Sequence, residues 1–452
     1  MATHASTQPD WDVTGKEVIE RLRDLLRLDT RNPPGNETRA AEYLRDVLQK
    51  EGIDCTIVGP APDRGTLIAR LKGDGSEAPL LLMSHTDVVA VEPDKWAHDP
   101  FGGEIADGYL YGRGALDMKN MVAMELMSML LLKRHNVPLK RDVIFMAAAD
   151  EEAGGHHGAQ WVVENYPELI QAEYALNEGG GYGLEINGQR YYTVQAAEKG
   201  SSRFRLSASG TPGHGSIPHD DNAILKLSAL LLKLQGANTP VHFTDTVRGY
   251  IRGIAQAQPP NIAEQFLAVL ADEATADVAV ERLPVEDTFK KELRSMLRNS
   301  VTPTMLHSGS QINVIPSVAY AQLDARTLPH WTPEQFLQEL QAIFGTDADI
   351  EFLDPSIPLE ADLDSPLFQI IKDVLKEHDP EATVIPVLLT GGTDAKHVSR
   401  LGTKIYGFSP ERYISGSEAW GGIHGHNERI HIDSLQWGAR VLYETVTQFV
   451  SQ

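Results

Sequence analysis

The sequence predicts an α/β protein: a mainly parallel sheet covered by helices, into which a second domain of α+β type is inserted. Three observations carry that reading. Short apolar runs, such as Leu80-Leu81-Leu82-Met83, lack alternation and read as strands buried on both faces. Amphipathic helical stretches alternate with them, as expected where helices connect parallel strands. Near Lys199 the texture changes, because 202–209 alternates in the manner of a strand with one exposed face. The first pattern resumes after residue 354. The expected divisions are therefore 1–198, an insertion at 199–354, and the rest of the first domain at 355–452.

In chain order, residues 1–10 read as a loose tail. Thr14 is suited to cap a helix reaching about Leu28, with Val18, Ile19, Leu22, Leu25 and Leu26 on one stripe. Asn32-Pro33-Pro34-Gly35 ends it. A second amphipathic helix covers 37–51, followed by strands at 54–58, 66–71 and 80–84. An apolar-rich helix at 118–135 precedes a buried strand at 142–148, a helix at 158–165 and a strand at 172–176. Within the insertion, the strand at 202–209 leads to a helix at 223–235, an acidic helical stretch at 258–300 and strands at 311–324. The closing part holds a helix at 365–378, strands at 383–389 and 403–408, and a helix at 434–450. No internal repeat is evident.

Composition removes several function classes. A chain of 452 residues can bury a generous core, and a formal charge of −23 repels nucleic acid and anionic membranes. No apolar run reaches the length of a membrane span, and the start has neither a basic n-region nor an apolar h-region. The expected location is cytoplasmic. With Cys55 as the single cysteine, no intrachain disulfide can form and no thiolate cluster can hold a metal. A metal site must be built from His, Asp and Glu.

Such residues recur where apolar runs stop. The 80–84 run delivers His85 and Asp87; in open α/β sheets, strand carboxyl ends are where ligands gather. Imidazole is a good metal ligand, and a neighbouring carboxylate can fix its tautomer. In Gly112-Arg113-Gly114-Ala115-Leu116-Asp117-Met118-Lys119, Asp117 immediately precedes a long helix, as an N-cap or as a ligand, and Lys119 is a charge behind it. Asp150-Glu151-Glu152 closes another apolar strand, where mutual repulsion calls for a cation. One of these glutamates could be a ligand and its neighbour a general base. Glu178 ends the strand at 172–176, and Gly421-Gly422-Ile423-His424-Gly425-His426-Asn427-Glu428 returns histidine near the C-terminus. Together they suffice for two metal ions sharing a carboxylate.

Four of these stretches, His85-Thr86-Asp87, 112–119, Asp150-Glu151-Glu152 and His424-x-x-Asn427-Glu428, in this order and approximate spacing, resemble the zinc metallopeptidase family of aminoacylase-1, glutamate carboxypeptidase, acetylornithine deacetylase, succinyl-diaminopimelate desuccinylase and yeast carboxypeptidase S. The resemblance spans nearly the whole chain. It implies a di-zinc peptidase fold with an inserted lid and dimerisation domain. It also implies that His85 and Glu178 bind one zinc ion, Glu152 and His424 the other, and that Asp117 bridges them; cobalt or manganese could occupy the same donors. Asp87 would orient His85, Glu151 would be the general base, and a cis peptide would join Asp117 to Met118.

Thr211-Pro212-Gly213-His214-Gly215-Ser216 is similar to the family's lid motif, in which the histidine reaches the partner subunit's active site; a homodimer follows. Gln311-Ile312-Asn313-Val314-Ile315-Pro316 is similar to a second lid motif, with Asn313 contacting substrate. Arg326 offers a fork for a substrate carboxylate, and Thr390-Gly391-Gly392-Thr393-Asp394 resembles the loop whose N–H groups close that pocket. The expected reaction is hydrolysis of N-acyl-amino acids or short peptides with a free C-terminus. A dipeptidase or carboxypeptidase is the alternative, and a non-catalytic metal-binding protein the remote one. Asn120 departs from the glycine common after the Met-Lys pair. His397 and the 258–300 stretch are similar to the carboxypeptidase S-like subgroup.

Overall fold

The computed structural model describes residues 9–353, 355–414 and 422–452. It divides into two compact units, one comprising the described residues of Met1–Ala196, Ala361–Val387 and Thr393–Gln452, the other Ala197–Glu360 and Leu388–Gly392.

The first unit is built on a mostly parallel central sheet. Its strands lie in the order Asp54–Val58, Thr66–Leu71, Val143–Ala148, Leu80–His85, Tyr174–Asn177, Lys404–Gly407 and Gln189–Glu198. The middle four run parallel, and the flanking pairs are antiparallel. The buried run predicted at 80–84 has a clear physical cause. Leu80 and Leu82 pack into a core with the long helices, whereas Leu81 and Met83 pack on the opposite face beside Val162, Ile170 and Val398. With both faces covered, every position is apolar. The helices Trp11–Leu26, Thr38–Lys50, Lys119–Arg134, Pro366–His378 and Ile432–Ser451 supply the larger layer.

Register then aligns the strand ends. His85 pairs with Ala148, and Leu82 with Leu176, so the chain leaves all three central strands on the same side of the sheet. His85, the Asp150–Glu152 run and Glu178 start from there.

In the second unit, Val318–Thr327 lies at the centre of a five-stranded antiparallel sheet. The strand Phe204–Ser209 alternates buried and less buried residues, as its sequence does. Phe204, Leu206, Ala321 and Leu323 pack against Leu227, Phe336 and Phe344 from the helices Ala223–Leu232 and Pro333–Phe344. Four helices, Asp245–Ala257, Pro260–Val269, Ala276–Glu281 and Asp287–Met296, account for the predicted helical stretch and begin before it.

Two expectations need correction. The first helix is capped by Asp10, whose carboxylate accepts from the N–H groups of Asp12 and Val13; Thr14 is buried within the helix. Secondly, Ser300–Ser308 is an unexpected strand. It lies at an edge with a bulge at Pro303, and proline removes the ladder donor that would have marked it in the sequence. Among the described residues no helix is long and apolar enough to cross a membrane.

Candidate metal centre

His85 is wholly buried at the end of its strand. Its Nδ1 faces the backbone carbonyl of Asp87 at 3.0 Å, so this nitrogen must donate. In the neutral ring the Nε2 lone pair then points at Asp117 Oδ1, 3.0 Å away, with Glu178 Oε2 at 3.8 Å. A lone pair aimed at two carboxylates is repulsive unless a proton or a metal cation lies among them. Opposite it, His424 Nε2 stands 3.1 Å from Asp117 Oδ2 and 3.2 Å from Glu152 Oε1. Asp117 thus turns one oxygen toward each histidine. It does not cap the following helix, whose N-cap is Met118, and the Asp117–Met118 peptide is cis.

Among the described residues two groups could hold a metal ion: His85 with Asp117 and Glu152, and His85 with Glu151 and Glu178, with ligand atoms within 4.8 Å of one another in each. The donors are all imidazole and carboxylate, which suits divalent cations. Electrostatics agree. Burial pushes Glu178 up to about 8, reinforced by Asp117 and Glu152, and His85 only partly offsets this. Glu151 is driven well above the carboxylate range by burial and then by Glu178. Hydrogen bonds to Asp117 and Glu152 hold His424 up to about 10. The cluster holds more negative charge than its surroundings neutralise.

The three consecutive acids do not act alike. Asp150 adopts a left-handed conformation (φ 70°), which for a residue with a side chain costs about 1–3 kcal/mol. Its carboxylate turns away to Arg64, to Asn32 Nδ2 at 2.9 Å and to the His157 N–H at 2.8 Å. These bonds offset the strain and leave Glu151 and Glu152 facing the histidines. The Asp87 carboxylate holds the neighbouring backbone: its two oxygens accept the N–H groups of Glu151 and Glu152, both at 3.1 Å. Asn32 Nδ2 also donates to Asp87 at 3.0 Å, tying the two acids together. Lys119 stands behind the cluster: its Nζ donates to the carbonyls of Leu25 and Leu28 near the end of the first helix and interacts electrostatically with Asp87.

Asn177, just before Glu178, donates from Nδ2 to Thr393 Oγ1 at 3.0 Å, fixing that end of the glycine-rich loop. Asp394, in the same loop, is buried with no side-chain hydrogen bond among the described residues, and burial pushes it up to about 7. The sequence places Asn32, Asp394 and Glu428 in recognisable motifs without giving their side chains a role, and it singles out Arg64 not at all. Only an acid or amide in a buried setting could have drawn notice to them. Gly421 of the last motif lies outside the described residues.

The remaining candidates belong to the second unit. Gly213 and His214 pair with Ile315 and Val314, and the Gly215 N–H donates to Asn313 O at 2.8 Å, so the 211–216 and 311–316 stretches are strand neighbours. His214 and Asn313 are both exposed. Arg326 is only partly available as a fork, because Nε and Nη2 bind Asp324 at 2.7 and 3.2 Å. Its Nη1 lies beside Gly392, where a Cβ would come within 3.6 Å of it.

The family model "Peptidase family M20/M25/M40" matches residues 81–448, which include every residue of the cluster. The chain belongs to peptidase family M20/M25/M40. As an M20/M25/M40 member it is a hydrolytic metalloenzyme acting on amide bonds. It is 30% identical over 451 residues to human N-fatty-acyl-amino acid synthase/hydrolase PM20D1, covering 96% of this chain and 87% of that one. With aminoacylase-1 of Sus scrofa the identity is 27% over 427 residues, covering 91% and 90%. Among solved structures, the M20 family metallo-carboxypeptidase Sso-CP2 of Sulfolobus solfataricus superposes with a TM-score of 0.69 at 18% identity. That match covers 96% of this chain and all of that one, and it establishes the shared M20 fold.

Proposed function

We propose that this enzyme is a two-metal N-acyl-amino-acid hydrolase, cleaving an amide whose product is an amino acid with a free carboxylate. The observation that carries it is Asp117, with one oxygen at each of two histidines and Glu151 alongside. His85 and Glu178 would hold one ion, Glu152 and His424 the other, with Asp117 between; zinc is the ion proposed, with cobalt or manganese as alternatives. When bound, such a pair polarises the scissile carbonyl and acidifies water. Glu151 would accept a proton from the attacking water and return it to the leaving nitrogen. Asp87 keeps Glu151 in place by accepting its N–H.

His214 supplies a hydrogen bond to the developing oxyanion. The Ser216 N–H can only donate, and it lies 3.2 Å from His214 Nδ1, so in the neutral ring the proton sits on Nε2, free to donate outward. Arg326 through Nη1, the N–H groups of Gly391, Gly392 and Thr393, and the Asn313 amide are proposed to hold the substrate, with the carboxylate at Arg326. A deacylase is favoured over a dipeptidase because the relatives of 27–30% identity are named for acyl-amino acids. The test is a panel of N-acetyl- and long-chain N-acyl-amino acids against dipeptides on zinc-loaded protein. Turnover of the acyl-amino acids, with KM raised about 10- to 100-fold by Arg326→Met, is expected. Cleavage of dipeptides alone would replace the deacylase with the dipeptidase reading.

We also propose a homodimer through the second unit. Ile224, Leu225 and Leu232 on one helix and Met305 and Leu306 on the edge strand are exposed, and an edge strand with open N–H and C=O groups invites pairing. His214 would then act in the partner's site. Leu225→Glu combined with Leu306→Glu is expected to give monomers in sedimentation equilibrium and to lose activity to the level of His214→Ala. Full activity in a monomer would remove His214 from this role. The lone cysteine Cys55 leaves no structural disulfide to lose, in keeping with a proposed cytoplasmic location.

A further inference from the structure

We propose that Glu428, acting with Arg113, is a positioning residue that presets Asp117 and His424 to share a divalent cation. Glu428 is fully buried, and its Oε1 accepts three backbone N–H groups: Gly114 at 3.1 Å, Leu116 at 2.8 Å and Asp117 at 3.1 Å. These donors form the turn that delivers Asp117. Its Oε2 is bound by Arg113 Nη1 at 2.6 Å, and the same guanidinium reaches on through Nη2 to the backbone carbonyl of His424 at 3.3 Å. The Glu428 carbonyl in turn accepts the Gly112 N–H at 3.0 Å. One carboxylate and one guanidinium thus tie together two turns more than three hundred residues apart in sequence, with |i−j| of 315 for the ion pair and 311 for the Arg113–His424 bond.

The turn carrying His424 needs such a hold. His424 and Asn427 both have φ of 59°, a left-handed conformation that side chains adopt only when outside contacts fix it. Asn427 is pinned through Oδ1, which accepts the Ala97 N–H at 2.6 Å. His424 is pinned through its carbonyl by Arg113, whose guanidinium is itself backed by the Trp96 ring, 5.2 Å from the ring centre. Ligand atoms must be placed within a few tenths of an ångström of their metal distances, so freeing one turn shifts a ligand out of range.

This inference rests on the two-metal reading above, and the experiment separates the two. Zinc and cobalt stoichiometry and affinity are measured by equilibrium dialysis on the full chain, with the visible spectrum of the cobalt form and circular dichroism recorded alongside. The unaltered protein is expected to bind two ions. In Arg113→Lys the ammonium can still meet Glu428 but cannot also fork to His424. One ion should keep its affinity, and the second should bind about 10- to 100-fold more weakly with an altered cobalt spectrum. In Glu428→Gln the amide NH2 would oppose Arg113, and the second ion is again expected to weaken. Binding of both ions by Arg113→Lys with unaltered affinity and spectrum overturns the inference. If that variant does not fold, Glu428→Gln decides on the same readout, and unchanged binding overturns it. Failure of the unaltered chain to bind two ions would instead overturn the two-metal reading.

Discussion

Glu151→Gln is expected to lower kcat about a hundred- to ten-thousand-fold while leaving metal content unchanged. The substitution is close to isosteric, and the backbone at this position is fixed independently of the side chain, through the N–H held by Asp87 Oδ1 at 3.1 Å. The amide cannot accept a proton from water or pass one to the leaving nitrogen. In the metal-free chain, burial and the nearby Glu178 raise Glu151 far above an ordinary carboxylate. Metal analysis and kcat on one preparation check the outcome. Retained turnover in metal-loaded protein would remove Glu151 from the proton-transfer role.

Asp117→Asn is expected to cost metal as well as activity, because on the two-metal reading it strikes both ions at once. The carboxylate presents Oδ1 to His85 and Oδ2 to His424; an amide would aim an NH2 at one of the two. Occupancy should fall below two per chain, and activity by about a thousand-fold or more, equivalent to about 4 kcal/mol of transition-state stabilisation. Atomic emission on dialysed protein together with kcat/KM checks it. Two bound ions and near-normal kcat/KM in this variant would show that Asp117 does not bridge.

The sheet and the cluster were largely legible because they depend on local pattern. A strand covered on both faces has to be apolar throughout, and a titratable residue at its end stands out, as His85 and Glu178 do. What the sequence could not convey was which groups hold those residues still. Asn32 meets Asp87 and Asp150 across 55 and 118 positions, and no periodicity announces such a meeting. Asp150 looked equal to its neighbours until its left-handed backbone turned it toward Arg64. Arg326 read as an open fork, yet Asp324, two residues before it, already occupies two of its nitrogens. The strand Ser300–Ser308 was hidden by Pro303.

The order in which the chain emerges from the ribosome has a consequence for how the enzyme is made. His85, Asp117, Glu151, Glu152 and Glu178 are all synthesised before the inserted unit begins at Ala197, whereas His424 arrives only after that unit is complete. A nascent chain therefore exposes most of an acidic, half-built cluster while a whole second body is still being added. On the two-metal reading, the second site closes only once His424 has been made, so a chain released before it would lack a proposed ligand however well its first half had folded.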